Sequence, residues 1–140
     1  TPAIAPNIIT VGAQDDKGTL TREDDGLAYF SSRGPTTVDK LTKPDILAPG
    51  VNITSLSNRG NGYVSMSGTS MATPFAAGVA ALMHQVKPEI SPSQVKEVMM
   101  QNADSLPPVN GKPLDANQQG KGVVDPIQNV ETLTGQKFDA

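Results

Sequence analysis

A chain of 140 residues with 36% hydrophobic residues builds one modest domain or part of a larger one. Its net charge is −3 and its basic residues stand singly, which argues against a nucleic-acid partner, since phosphate neutralisation needs a basic face. There is no cysteine, so disulfides, thiolate metal sites and cysteine nucleophiles are excluded; the longest apolar run, residues 75–83, rises only about 13 Å as a helix against a hydrocarbon core of about 30 Å.

Residues 8–11 (Ile-Ile-Thr-Val) are short, β-branched and unalternating, and predict a strand buried on both faces that ends at Gly12. Residues 14–26 carry Asp15-Asp-Lys-Gly18 and Glu23-Asp-Asp-Gly26, two acidic turn signatures that predict an exposed loop or hairpin. The ligand alternation of an EF-hand loop is missing, so a solvated turn is expected there rather than a calcium loop. Further strands are predicted at 27–30, 45–48, 51–55 and 63–66, with turns at Pro49-Gly50 and Asn58-Arg-Gly-Asn-Gly62.

From Ser70 to Val86 the pattern changes. Small apolar residues occupy every face, which predicts a helix buried all round. The next helix is clearly punctuated, with Ser91 as N-cap, Pro92 at the first helical position and Gln94 completing a capping box. Val95, Val98 and Met99 form its inward face, Lys96 and Glu97 its outward one. Residues 104–119 predict a polar surface loop and 120–124 a short strand. Asp125 then caps a last helix, with Pro126 at its first position, running to about Leu133. Strands followed by helix, helix, strand and helix predict a layered α/β domain.

The chemistry concentrates in Met66-Ser-Gly-Thr-Ser-Met-Ala-Thr-Pro74, a strand that runs into a helix through Gly68. The first turn of a helix leaves N–H groups unpaired and carries partial positive charge. A serine there can offer its hydroxyl to a carbonyl while its own N–H faces the developing oxyanion. The same residues also suit a plain N-cap at Thr69 or Ser70, and local pattern does not separate the two readings. A nucleophilic serine needs a base, and His84 is the only histidine. On one helix it lies about 21 Å from Ser70, far outside the roughly 3 Å of a hydrogen bond. The Gly-x-Ser-x-Gly elbow of α/β-hydrolases fails as well, since Ala72 ends the motif and no acid followed by a histidine comes after the serine.

Gly68-Thr-Ser-Met-Ala-Thr-Pro74 with Ala77-Gly78 resembles the serine signature of the subtilisin-like serine proteases, the subtilases. Val11-Gly-Ala13, Phe30-Ser-Ser-Arg-Gly-Pro35, Lys43-Pro-Asp-Ile-Leu-Ala-Pro-Gly50 and Gly120-Lys-Gly-Val-Val-Asp125 follow the family's order from Thr1 to about Leu133. The resemblance implies a subtilisin-like three-layer αβα fold with a mainly parallel sheet, of which residues 1–140 are the C-terminal portion of the catalytic domain, with no second domain. It implies a serine endopeptidase acting on polypeptide substrates, with Ser70 as nucleophile, Gly68 and Thr69 beside the oxyanion hole and Met71 packed against the nucleophile. The resemblance also implies that the triad Asp and His and the oxyanion Asn fall upstream of Thr1, in agreement with the lack of a base for Ser70 in these residues.

The isolated chain is therefore expected to be inactive. Its partner would be the missing N-terminal part of the same domain, or a second copy through self-association. A non-catalytic binding module is the alternative. No cofactor is required by this chemistry. Asp45 with the carbonyls of Ala3, Ala5 and Ile8 matches a weak site for calcium or a monovalent cation in some members. Pro2 matches a position whose peptide bond is often cis, and Phe75 replaces a common histidine. A secreted location is expected over a cytoplasmic one, and neither nucleic acid nor membrane is expected as partner.

Overall fold

The structure is a computed structural model that describes residues 2–138. The Thr1–Pro2 bond, expected to be cis, lies outside the described residues. Three strands form the central sheet in the order β2-β1-β3, with β1 at Val11–Asp15, β2 at Gly26–Leu27 and β3 at Ile46–Pro49. β1 and β3 are parallel, Val11 opposite Ile46 and Ala13 opposite Ala48, whereas β2 returns antiparallel with Gln14 opposite Leu27. The acidic segment after β1 is thus the exposed connection of a hairpin. Among the described residues, no three His, Cys, Asp or Glu side chains group to hold a metal.

Several strand boundaries differ from expectation; β1 runs past Gly12 to Asp15, and the strands expected over 45–48 and 51–55 lie at Ile46–Pro49 and Ile53–Leu56. The first strand begins at Val11, not at Ile8, because the N–H of Thr10 is taken by the Asp45 carboxylate at 2.8 Å. The second stops at Leu27: Ala28 still donates to Ala13, but Ser31 then turns back onto the Ala28 carbonyl at 3.0 Å. The strand expected over 120–124 shrinks to a parallel bridge of Val123 with Leu47 and an antiparallel one with Asp104. Gly120 and Gly122 have φ of 59° and 113°, and a Cβ on either would lie within 2.3 Å of a backbone oxygen. Backbone that tight bends away from a ladder after a single rung.

Alternation along β3 divides the interior in two. Ile46 and Ala48 face a core shared with Ala13, with Ala72, Ala76, Val79 and Met83 of helix α1 (Thr69–Val86), and with Val95 and Met99 of helix α2 (Pro92–Gln101). Leu47 points the other way, toward Leu106 and Val123. That second face is covered by the 104–119 segment, which also holds helix α3 (Ala116–Gln119), closed by a reciprocal Asp115–Gln118 cap that sequence reading missed. Helix α4 (Pro126–Thr134) starts at Asp125 as expected and packs on α1 and α2. The Ser91–Gln94 capping box is present, with bonds of 3.2 and 2.9 Å.

α1 departs from the expected all-round burial. Only the stripe Ala72, Ala76, Val79 and Met83 meets the sheet, while Phe75, Leu82 and Val86 stay substantially exposed. Alanine along that stripe lets α1 lie close to β1 and β3, and this packing fixes where the helix begins. A separate hairpin, β4 (Ile53–Leu56) with β5 (Tyr63–Met66), leads into it and pairs Ile53 with Met66.

Candidate active site

The strand-to-helix junction is held from the sheet. Gln14 accepts from the Gly50 N–H at 3.0 Å, and Gly50 in turn accepts from the Gly68 N–H at 2.8 Å. A Cβ at Gly50 would stand 2.7 Å from the Ala13 Cβ and 2.9 Å from the Gly68 carbonyl oxygen, so only glycine lets the junction sit this close. On the other side the Ser67 hydroxyl accepts from the Asn52 N–H at 2.8 Å. Gly68 is the N-cap of α1 and supplies no side-chain cap. Thr69 and Ser70 are therefore inside the helix, and the plain N-cap reading of either does not hold.

The consequence is a helix start with open donors. Met71 and Ala72 both donate to the Gly68 carbonyl, at 3.0 and 3.3 Å, and among the described residues the N–H groups of Thr69 and Ser70 find no acceptor. The aligned peptide dipoles add partial positive charge there. Pro74 has no N–H to give the Ser70 carbonyl, so the first turn lacks that i to i−4 bond. The Ser70 side chain is exposed and forms part of the walls of two clefts. One, of about 550 Å³, is bounded by Asp15, Tyr29, Phe30 and Ser67. The other, of about 410 Å³, is apolar, walled by Leu56, Val64, Met66, Met71 and Phe75. Phe75, in place of the family's histidine, thus adds apolar surface beside Ser70.

Neither cleft contains a histidine or a lysine. Their one carboxylate is Asp15, whose hydrogen bond from Lys17 holds its carboxyl below the usual range and keeps it a weak base. His84 lies in the last turn of α1, at the far end of the same unbroken helix. The structure does not bring it to Ser70. Sequence reading places Asp15 in an acidic turn and Gly50 in the Pro49-Gly50 turn, and assigns neither to the site, since neither pattern has a chemical role of its own.

Of the groups assigned to a cation, the Asp45 carboxylate and the carbonyls of Ala3 and Ile8 are already engaged. Asp45 Oδ2 accepts from Lys43 Nζ at 2.8 Å, and Asp45 Oδ1 lies 3.5 Å from Lys96 Nζ. Lys96 Nζ also donates to the carbonyls of Pro6 and Ile8 at 2.7 and 3.0 Å, and Lys43 Nζ to Ile8 at 3.3 Å. Ala3 accepts from the Thr10 hydroxyl, and no contact draws Ala5 into the group. Two ammonium groups thus stand around the one carboxylate that an added cation would need. Lys96, expected on the outward face of α2, is turned inward by these bonds. The Lys-Pro-Asp spacing signals the first pair in sequence; nothing local signals Lys96, 51 residues beyond Asp45.

Known proteins bear on this geometry. The model of the subtilase family matches residues 1–122. Serine protease AprX of Bacillus subtilis (strain 168) is 45% identical over 142 residues, which cover 92% of this chain and 31% of that protein. The minor extracellular protease Vpr of the same organism is 44% identical over 69% of this chain and 12% of its own length. Among solved structures, the Clostridium perfringens CspB protease superposes with a TM-score of 0.79 at 28% identity, covering 97% of this chain and 29% of that one. The prenylagaramide maturation protease PagA gives 0.72 at 34% identity, over 98% and 46%. The chain thus spans less than a third of the length of either curated relative. By sequence and by fold, the chain belongs to the subtilase family of subtilisin-like serine proteases.

Proposed function

We propose that this chain is the serine-bearing portion of a subtilisin-like endopeptidase and that Ser70 is its nucleophile. The observation that carries the reading is an exposed serine at a helix start whose N–H groups have no acceptor, between two clefts, in a chain of this family. Ser70 Oγ attacks the scissile carbonyl carbon and gives its proton to a base. The Ser70 N–H donates to the carbonyl oxygen as it becomes an oxyanion, with Thr69 assisting. The tetrahedral adduct collapses to an acyl-enzyme, and the leaving amine takes the proton. Water then releases the acyl group by the same steps in reverse. Met71, beside the nucleophile, makes the site sensitive to oxidation to the sulfoxide.

The base and its orienting carboxylate come from outside these residues, because the one histidine sits at the wrong end of α1. Alone, the chain has no efficient proteolytic activity. Its partners are extended polypeptides and the rest of the catalytic domain, which covers the exposed Phe75, Leu82 and Val86 of α1. In its absence those side chains drive self-association, measurable by sedimentation. Secretion agrees with the extracellular relative, and among the described residues no helix is long and apolar enough to cross a membrane.

Fluorophosphonate labelling followed by intact mass tests the assignment. The longer protein is expected to be labelled stoichiometrically and to hydrolyse peptides. Ser70→Ala should lose the label and at least about 10⁴-fold in kcat/KM with unchanged stability. A longer protein that binds peptides but resists the probe would instead be a non-catalytic module.

A further inference from the structure

We infer that Lys96 is a built-in cation: its ammonium, seconded by that of Lys43, occupies the oxygen cluster of Pro6, Ile8 and Asp45 and makes this region of the fold independent of any exchangeable metal ion. The inference rests on this chain's own contacts and not on the role of Ser70. An ammonium has three donors directed away from its stem. Lys96 spends two on the carbonyls of Pro6 and Ile8 and faces Asp45 Oδ1 with the third direction. Lys43 and the Thr10 N–H take Asp45 Oδ2. The Asp45 and Lys43 side chains are only 6% and 8% exposed, and that of Lys96 20%. Water screens these charges poorly, so the single carboxylate is neutralised once by Lys43 and shared with Lys96, whose remaining charge rests on carbonyl dipoles.

The arrangement has a mechanical effect. Lys96 is five residues into α2, while its carbonyl acceptors lie just before β1, 90 and 88 residues earlier in sequence. One side chain therefore staples residues 6–8 to the second helix and aligns Thr10 for the start of the sheet. A metal ion could do this only while bound, and would be lost to a chelator. A lysine cannot be extracted.

Thermal unfolding of the protein in excess EDTA and in millimolar calcium or sodium tests the inference, with equilibrium dialysis against radioactive calcium as a direct measure. The wild type is expected to melt at the same temperature in all three and to retain no calcium above background. Lys96→Ala should lower the melting temperature by roughly 5 °C or more. It should also make it cation-dependent, because the vacated carbonyls and Asp45 then accept an added ion. Stoichiometric calcium retention by the wild type, or a melting temperature that falls in EDTA, would overturn the inference. Should Lys96→Ala fail to fold, the two wild-type measurements still decide it.

Discussion

The β1–β3 pair and the β4–β5 hairpin each join four pairs of residues, and they differ in almost everything else. Ile46, Leu47 and Ala48 of β3 are wholly buried, whereas Leu56 and Tyr63 of the hairpin are each 76% exposed. The first ladder is held by what its side chains bury on both faces of the sheet. The second is held by its own backbone bonds and turn, which leaves its side chains on display. One region is a frame and the other a contact surface, and the Gly68 junction is where they meet. Stability and recognition should therefore separate by strand.

Mutations can break or sharpen that contrast. The largest effect is expected in the frame: Ile46→Ala removes a fully buried side chain and should cost about 2–5 kcal/mol in chemical denaturation. Gly50→Ala, at the meeting point, forces a methyl against Ala13 and the Gly68 carbonyl. It should cost about 1–3 kcal/mol and also slow fluorophosphonate labelling of Ser70 in the longer protein, which Ile46→Ala should not do while the protein stays folded.

A subtler effect concerns the hairpin between β1 and β2. Burial raises the Asp25 carboxyl above its ordinary value, against the hydrogen bond from Gln14 that lowers it. The folded state thus binds this proton more tightly than the unfolded chain. The resulting stability is present in acid and is lost as pH rises from the ordinary carboxylate value through the raised one. Asp25→Asn should flatten that segment of the stability–pH curve and raise stability at neutral pH, since an amide can also donate to the unpartnered Gln14 Oε1. The smallest effect belongs to the contact surface. Leu56→Ala should change stability by no more than about 0.5 kcal/mol. A cost comparable to that of Ile46→Ala would show that the hairpin is frame after all.

Sequence reading went furthest where information was local. Ser91-Pro92 with Gln94, and Asp125-Pro126, announce helix starts through bonds made within four residues, and both starts lie where expected. The Gly68–Pro74 segment likewise carries its own strand-to-helix turn. What escaped depends on distant partners. The all-apolar run of α1 says that the helix can be buried, but its distant neighbours β1, β3, α2 and α4 decide that one stripe is. Gly120 and Gly122 end a predicted strand because Pro44, Asp45 and Asp104 backbone atoms lie against them. Lys96 looks like a solvated helix residue until residues 6–8 arrive beside it.

The bare glycine cap of α1 has a further consequence, visible in hydrogen–deuterium exchange. Protection should climb along this one helix, from amides at Thr69 and Ser70 that exchange almost as fast as in an unfolded chain to amides near Val79 and Met83 that exchange only when the core opens. At the opposite end the Lys87 amide is closed onto Met83 at 3.0 Å. The helix is thus a rigid rod with one unlocked tip, and donors at that tip can receive a new negative charge without first surrendering an old bond.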